Sequence, residues 1–199
     1  MDLKLIYGNM RALCEAPQMM LHYADIPYEY KMVWDHYGSS WAEVKKDIIF
    51  NRLPILIINE DKYIWQSNTI IRYLSNLTKT KPSDEFQLAY CDAVFESTHE
   101  MFSPLNPTIN MTFGEKYNSN KKKLLEDILP NSLNNFEKLL QNSSGNFFIG
   151  NDPFYCDFNA YHHFSMCLIL DKNIFSNFPN IKKFINNFEK LNNIKNYLD

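Results

Sequence analysis

The sequence predicts a protein of two parts, in which a small mixed α/β unit precedes a unit made only of helices. In the first third of the chain, short apolar strand patterns alternate with helical ones in the order β-α-β-α-β-β-α, which is typical of a small mixed sheet with helices on its faces. A polar, proline-containing stretch at 78–83 follows, as expected of a linker. The later patterns place apolar residues at three- or four-residue spacing and therefore predict helices.

The N-terminal elements alternate between strand-like and helical patterns. In chain order they are a strand at Leu3–Tyr7, a helix at Glu15–Tyr23, a strand at Tyr28–Val33, a short polar helix or turn at Trp41–Asp47, a hairpin of Ile55–Ile58 with Tyr63–Trp65, and a helix at Ser67–Leu77. Pro17 falls within the first helix and must lie in its first turn, where a missing N–H does no harm.

The C-terminal patterns all favour helices. They are Asp84–Phe102, an amphipathic stripe of Leu125, Leu129, Leu133, Phe136 and Leu140, then Asp157–Leu170, and finally Phe178–Leu191. Pro130 lies inside the amphipathic stripe and should kink or break it. The segment Asp157–Leu170 is apolar on most of its faces, which predicts the central buried helix of this unit.

Composition and charge exclude several classes of function. The chain has 199 residues, 45% of them hydrophobic, and a formal net charge of −3, so it can bury a core and offers no electrostatic reason to expect nucleic acid or a membrane as partner. Neither a signal peptide nor an apolar stretch near the ~20 residues of a membrane span is present. Scattered cysteines and the adjacent pair His162-His163 have no metal-ligand spacing. We therefore expect a cytoplasmic protein with free thiols and no metal.

Two polar residues, Gln66 and Ser67, stand where the hairpin becomes a helix. One interpretation makes Ser67 an ordinary N-cap and Gln66 a solvated residue. The other makes the helix start an anion site, where backbone N–H groups, the Ser67 hydroxyl and the Gln66 amide hold a ligand carboxylate. The nearby Leu53-Pro54 allows two interpretations as well, either a cis-proline that leaves the Leu53 backbone free to pair with a peptide-like ligand, or an edge strand with a trans-proline.

Together these motifs resemble those of cytosolic glutathione transferases, nearest to the sigma and mu classes. The matching stretches, in order, are Tyr7-Gly8-Asn9-Met10-Arg11, Trp41-Ala42-Glu43-Val44-Lys45, Leu53-Pro54, and Gln66-Ser67 followed by Ile70-Ile71-Arg72-Tyr73-Leu74. The resemblance covers essentially the whole chain. It implies a thioredoxin-like glutathione-binding domain at 1–78, a linker at 79–83, and an all-helical domain at 84–199 that contributes a hydrophobic electrophile site.

The resemblance also implies an activity, which is the conjugation of glutathione to hydrophobic electrophiles, as in detoxification. Tyr7 would be the catalytic residue, because its hydroxyl would donate a hydrogen bond to the glutathione sulfur and so favour the nucleophilic thiolate. Glu96 stands where the family usually has Asp, which reaches across a homodimer to the glutathione α-amino group. A homodimer is therefore implied.

Glutathione binding is implied for a larger set of residues. The set is Tyr7, Arg11, Leu13, Trp41, Lys45, Arg52, Leu53, Pro54, Gln66, Ser67 and Glu96. Within it, Gln66 and Ser67 would hold the γ-glutamyl carboxylate, while Lys45 would meet the glycine carboxylate. Arg52 replaces a shorter polar residue of the family, and either adds a carboxylate contact or is solvated. The electrophile pocket would be formed by Gly8, Met10, His99 and Phe102.

Several positions depart from the family pattern. Gly8 replaces an aromatic residue that lines the electrophile pocket, and Ala12 replaces a close-packed glycine. Phe154 stands at the cap position of a capping box that keeps its Asp157, so the reciprocal box cannot form, and Asp152 is expected to cap the helix instead, with Pro153 as its first residue.

These departures leave two other functions open. One is a non-catalytic carrier of hydrophobic ligands or an assembly module, since the substitutions at Gly8, Ala12 and Phe154 alter local packing. The other is a thiol transferase that uses Cys14. Cys14 stands a residue or more beyond the position of the family's reactive cysteine and is expected to be a small buried side chain.

Overall fold

A four-stranded mixed sheet forms the centre of the first unit in the computed structural model, which describes residues 1–198. The strands are β1 (Leu3–Tyr7), β2 (Glu29–Met32), β3 (Ile55–Ile58) and β4 (Lys62–Trp65), and they lie in the order β2-β1-β3-β4. β1 runs parallel to β2 and antiparallel to β3, which pairs antiparallel with β4. Every residue of β3 is buried, as expected for a strand covered on both faces.

The helices of this unit connect and cover the strands. They are α1 (Glu15–Tyr23), α2 (Val33–Tyr37), α3 (Trp41–Val44) and α4 (Ser67–Leu77), with two 3₁₀ turns at Lys45–Asp47 and Ile49–Asn51. α1 forms the crossover that the parallel pair β1–β2 requires, and it packs against α4. A cluster of Ile6, Val33, Ile48, Ile55 and Ile57 is buried in this unit, with Trp41, Val44, Leu53 and Trp65 packed against it.

The second unit consists of helices in the part of the chain that the structure describes. They are α5 (Glu85–Met111), α6 (Gly114–Lys123), α7 (Leu129–Asn142), α8 (Tyr155–Leu170), α9 (Pro179–Glu189) and α10 (Asn192–Leu198), with a π-helical turn at Leu124–Ile128 between α6 and α7. α8 is buried along most of its length and packs mainly on α5, which confirms it as the central helix. The boundary between the two units lies between Lys81 and Pro82. The α/β unit followed by an all-helical unit confirms the predicted fold class.

Proline interrupts one helical stretch of this unit but not another. Pro130 interrupts the amphipathic stripe as predicted, because a π-helical turn precedes it and α7 begins at Leu129 with the proline in its first turn. α5 was expected to end at Phe102, but it continues through Pro104 and Pro107 to Met111. Buried Leu105 and Thr108 continue its apolar face beyond Phe102, so tertiary packing outweighs the backbone hydrogen bonds that the two prolines remove.

The start of α8 differs from the expected Asp152 cap. The helix begins at Tyr155 with Phe154 as its N-cap, so Pro153 lies outside it, and exposed Asp152 is not the capping residue. Asp157 instead accepts the Phe154 N–H through Oδ2 (2.8 Å) and the Phe148 N–H through Oδ1 (3.1 Å). Half of a capping box therefore survives, and the same carboxyl also fixes the preceding loop.

Among residues 1–198, no helix is both long and apolar enough to cross a lipid bilayer.

Candidate functional site

The register of the sheet brings three predicted site segments to the same end of neighbouring strands. Ile6 of β1 pairs with Ile55 of β3, and Ile55 pairs with Trp65 of β4. Tyr7, Pro54 and Gln66 each lie one residue beyond this row, and antiparallel pairing places them side by side. The first unit thus gathers Tyr7, the Leu53-Pro54 pair and the start of α4 in one place, although they are up to 59 residues apart in sequence (66 − 7 = 59).

Tyr7 presents a neutral hydroxyl whose oxygen is partly engaged. Its side chain is 7% exposed, and its Oη accepts a hydrogen bond from the Leu13 N–H at 3.3 Å. Burial raises the pKa of Tyr7 to about 12, although the Leu13 N–H lowers it, and the neighbouring Cys14 adds a smaller upward effect. The phenol therefore keeps its proton at neutral pH, and its O–H is available to donate.

The loop between β1 and α1 holds five further residues singled out in the sequence. Gly8, Met10, Arg11, Ala12 and Leu13 all lie in it, and Met10 and Arg11 are exposed whereas Ala12 is fully buried. A Cβ added at Gly8 would lie in ordinary van der Waals contact with the Met10 methyl carbon, at 3.8 Å. Full burial of Ala12 fits the small residue that the family keeps at this position.

Two hydrogen bonds anchor this loop. The Gly8 carbonyl accepts the Met10 N–H (3.0 Å) and the Tyr30 hydroxyl (2.7 Å). The Arg11 Nε lies 2.8 Å from Oε1 of the buried Glu15, so a half-exposed guanidinium neutralises a carboxylate at the start of α1. Neither Tyr30 nor Glu15 was singled out from the sequence. The spacing of Arg11 and Glu15 matches that of a helical i,i+4 ion pair, and Tyr30 lies within the predicted strand Tyr28–Val33, where alternate residues share a face, so both signals were present.

The start of α4 corrects the predicted cap. Ser67 is the first helical residue, and Gln66 is the N-cap, with φ of 71° and ψ of 120° and no side-chain capping bond. The Gln66 carbonyl accepts the Ile70 N–H (3.0 Å). The helix therefore begins at Ser67, one residue earlier than it would if Ser67 were the N-cap. A left-handed φ is uncommon for glutamine, and such strain concentrates at functional sites. The nearest partner of the Ser67 hydroxyl is Asn68 Oδ1 at 3.5 Å, a long contact.

The remaining N-terminal site residues are held by the same unit. The Leu53–Pro54 peptide bond is cis, and the Leu53 side chain packs against the buried isoleucine cluster. Trp41 packs there too, as the first residue of α3, and its carbonyl accepts the Lys45 N–H. Lys45 and Arg52 are both exposed. These two cations are thus available to solvent on the unit that carries Tyr7.

Three predicted site residues belong to α5 in the second unit. Glu96 and His99 are half-buried, whereas Phe102 is 1% exposed. The Phe102 ring stacks on His163 of α8, with ring centroids 4.0 Å apart and planes inclined by 8°. His162 and His163 are buried core residues, and within residues 1–198 no three His, Cys, Asp or Glu side chains are grouped so that they could hold a metal ion.

Comparison with known proteins supports a single family. The family model for the glutathione S-transferase N-terminal domain matches residues 1–76, and that for the C-terminal domain matches residues 99–199. The chain is 29% identical over 203 residues to "Glutathione S-transferase P" of Caenorhabditis elegans, covering 100% of this chain and 93% of the relative. It is also 29% identical over 199 residues to "Glutathione S-transferase Mu 3" of Homo sapiens, covering 96% of this chain and 85% of the relative.

Solved structures give the same result. The pi-class glutathione S-transferase of Onchocerca volvulus superimposes with a TM-score of 0.87 at 26% identity, covering 100% of this chain and 92% of that structure. Both halves of the chain match, in sequence and in fold, and the resemblance read from the motifs is confirmed. The chain belongs to the glutathione S-transferase family.

Proposed function

We propose that the protein conjugates glutathione to hydrophobic electrophiles and that Tyr7 activates the glutathione thiol. The observation that carries this proposal is the neutral Tyr7 hydroxyl, whose oxygen accepts the Leu13 N–H while its proton remains free to donate. A free thiol has a pKa of about 8.5 and is mostly protonated at neutral pH. Donation from Tyr7 to the sulfur stabilises the thiolate and lowers that pKa, so more of the nucleophile is present.

The ends of the peptide would be bound by charge and by backbone donors. The α4 N-terminus, with its left-handed Gln66 and a Ser67 hydroxyl without a short hydrogen bond, suits the γ-glutamyl carboxylate. Exposed Lys45 suits the glycine carboxylate, with the Trp41 indole N–H beside it. The backbone of Leu53, next to Pro54, would pair with the peptide itself. Arg11, Leu13 and Arg52 complete the glutathione-binding residues of the first unit.

The second unit would supply the remaining groups. We place Glu96 opposite the glutathione α-amino group of a neighbouring protomer, so that the active form is a homodimer. Half-buried His99, together with Gly8 and Met10, is proposed to contact the electrophile, whereas Phe102, which is 1% exposed and stacked on His163, is a core residue. Because Gly8 carries no side chain, we expect the pocket to accept bulky electrophiles. The reaction needs no metal, because the tyrosine hydroxyl and the glutathione thiol together provide the chemistry.

Thiol transfer by Cys14 has little support. The Cys14 side chain is 1% exposed, and burial, with the neighbouring Glu15 carboxyl, raises the pKa of its thiol well above the ordinary range. A protonated thiol without access to solvent is a poor nucleophile.

A pair of variants tests the proposal by separating chemistry from binding. With a halogenated nitroarene as electrophile at pH 6.5, Tyr7→Phe should lower kcat/KM about 10- to 100-fold. A thiol pKa restored to about 8.5 leaves about one thiolate in 100, whereas a pKa one unit lower leaves about one in ten. Ser67→Ala should instead raise the KM for glutathione about 10-fold with kcat little changed, because it removes a hydrogen bond to a carboxylate.

Two results would contradict the proposed mechanism. If Tyr7→Phe conjugates glutathione as fast as the wild type, Tyr7 does not activate the thiol. If the wild type binds glutathione and hydrophobic ligands but turns over no electrophile, the non-catalytic carrier is the better description.

A further inference from the structure

Tyr30 lies on β2, outside the set of residues expected to touch glutathione, yet it is bonded to the segment that contains Tyr7. Its hydroxyl donates to the Gly8 carbonyl at 2.7 Å, the shorter of the two hydrogen bonds that this carbonyl accepts. Gly8 follows Tyr7 directly in the chain. β2 runs parallel to β1 and pairs Tyr30 with Leu5 and Met32 with Tyr7, so Tyr30 belongs to the strand that flanks the catalytic residue.

Three hydrogen bonds hold the two ends of the loop between β1 and α1. The first joins Tyr30 to the Gly8 carbonyl, and the second closes a tight turn from the Met10 N–H back to the same carbonyl (3.0 Å). The third lies at the far end of the loop, where the Leu13 N–H reaches Tyr7 Oη at 3.3 Å. The loop is therefore bonded to Tyr30 of β2 where it begins, at Gly8, and to the Tyr7 side chain of β1 near its end, at Leu13.

The Tyr30 hydroxyl is a permanent donor. Burial raises its pKa far above the ordinary value, and the neighbouring Cys14, Tyr7, Glu15 and Tyr28 each raise it further. The Tyr30 hydroxyl therefore keeps its proton at neutral pH and can donate it to the Gly8 carbonyl.

We propose that Tyr30 is a positioning residue for thiol activation. It fixes the Gly8–Met10 turn, the turn places the Leu13 N–H on one lone pair of the Tyr7 oxygen, and the Tyr7 O–H is thereby left to point at the glutathione sulfur. This inference rests on the proposed function of Tyr7. Without the Tyr30 hydroxyl, the loop would hold Leu13 less firmly, Tyr7 would donate less effectively, and the bound thiol would ionise at higher pH.

Tyr28 offers a matched control in the same strand region. Its hydroxyl is also half-buried, its pKa is also raised chiefly by burial, and it donates to Gln18 Oε1 of α1 at 3.1 Å rather than to Gly8. Tyr28→Phe and Tyr30→Phe therefore remove the same atom and one hydrogen bond each, but only Tyr30→Phe touches the loop that contains Leu13.

The test compares the two variants with the wild type in two measurements. In the pH profile of kcat/KM, Tyr30→Phe should move the acid limb to higher pH. At pH values on that limb, kcat/KM should fall about 3- to 10-fold, with the KM for glutathione nearly unchanged. Tyr28→Phe should follow the wild type. In amide hydrogen exchange of the protein without glutathione, the Leu13 N–H should exchange about 3- to 10-fold faster in Tyr30→Phe alone.

The two measurements separate the possible failures. If Tyr30→Phe behaves like Tyr28→Phe in both, Tyr30 has no positioning role and the inference is overturned while the proposed function stands. If Leu13 exchanges faster but the acid limb does not move, Tyr30 holds the loop without influencing the thiol, which also overturns the inference. If the acid limb of the wild-type profile lies at or above the pKa of the free glutathione thiol, the proposed function of Tyr7 fails, and the role of Tyr30 fails with it.

Discussion

At the scale of single residues, the proposed activation of the thiol depends on the Tyr7 hydroxyl. A phenol is already protonated at neutral pH at its ordinary pKa of about 10, and burial raises the pKa of Tyr7 further, to about 12. The Leu13 N–H occupies part of the acceptor capacity of the oxygen and leaves its proton to the ligand. Donation to the charged form of a thiol lowers the pKa of that thiol, so the proposed function makes Tyr7 a hydrogen-bond donor to glutathione and not a nucleophile.

A second single residue, Asp157, determines how α8 begins. Its carboxyl is fully buried and accepts two backbone N–H groups, from Phe148 and Phe154. Burial raises the pKa of this carboxyl to about 7, although the N–H donors lower it. Phe154 supplies no side-chain acceptor at the cap position, so the start of the helix depends on Asp157 alone for its side-chain capping.

We predict that Asp157→Ala destabilises the second unit by about 2–4 kcal/mol, because two buried N–H groups lose their acceptor. Urea unfolding followed by far-UV circular dichroism measures this change. Tryptophan fluorescence would not, because all three tryptophans (Trp34, Trp41 and Trp65) lie in the first unit. Asp152→Ala is the control and should change the free energy of unfolding by less than about 0.5 kcal/mol, because Asp152 is exposed. Equal effects of the two substitutions would argue against Asp157 as the cap.

At the scale of elements, α8 carries a histidine pair into the core. His162 and His163 are each 1% exposed, and His163 stacks on Phe102 of α5. Burial lowers the pKa of His163 well below its ordinary value, and the neighbouring His162 and His99 lower it further, against a smaller upward effect of the Thr98 backbone. Packing of α8 on α5 therefore favours a neutral imidazole.

The buried His163 should make stability fall in acid. Above about pH 6.5 the imidazole is neutral in both states and has no effect, whereas below it the unfolded chain takes up a proton that the folded chain does not. Stability is thus lost as pH falls through the unfolded pKa, by up to about 1.4 kcal/mol per pH unit. Asp157 acts in the opposite sense, because its raised pKa stabilises the folded state as pH falls from about 7 toward 4.

Comparison with His163→Phe isolates the histidine, because the Asp157 effect is common to both proteins and the new ring can still stack on Phe102. From pH 7 to pH 5, the variant should gain about 1–2 kcal/mol of stability relative to the wild type, measured by urea unfolding. Data at pH 8 give the cost of altered packing, since the imidazole is then neutral in both states. Parallel stability curves for the two proteins would show that His163 is protonated in the fold.

Element prediction succeeded where local pattern and packing agree. The bounds of β1, α1 and α4 follow from apolar periodicity and are observed as predicted. The end of α5 was not predicted correctly. Pro104 and Pro107 indicate a helix end near Phe102, but buried residues beyond them keep the chain helical to Met111. The left-handed φ of Gln66 could not be predicted either, since nothing in a glutamine side chain favours it and the surrounding sheet and helix impose it.

At the scale of the whole molecule, site prediction depended on resemblance more than on pattern. Tyr7, Pro54 and Gln66 are far apart in sequence, and only the sheet register brings them together. Matching motifs could single them out because the family fold was already implied. Tyr30 matches no motif, because its role comes from a hydroxyl-to-carbonyl bond between strand and loop, which depends on the folded structure.

The proposed homodimer also belongs to this scale. The first unit exposes two consecutive apolar side chains, Ile49 (54% exposed) and Phe50 (60%), and the Phe50 ring lies 6.1 Å from that of Trp65. Phe50 has a left-handed φ of 65°, which is rare for a bulky residue. Contiguous exposed apolar side chains of this kind mark interaction surfaces.

We predict that Phe50→Ala weakens the dimer about 10- to 100-fold, as expected for an aromatic residue at an interface. Sedimentation velocity over a concentration series measures the change. Phe113→Ala is the control, because Phe113 is an even more exposed phenylalanine (84%) that is not part of the Ile49–Phe50 pair. A wild-type protein that sediments as a monomer at all concentrations would contradict the homodimer and the role assigned to Glu96.

The most direct test of the central claim is an ultraviolet difference titration of glutathione bound to the protein, in which thiolate absorbance is followed against pH. The account predicts that bound thiol ionises at least about one pH unit below the value of about 8.5 for a free thiol, and that Tyr7→Phe abolishes the difference. Bound glutathione that titrates at or above about 8.5 in the wild type would mean that Tyr7 does not activate the thiol.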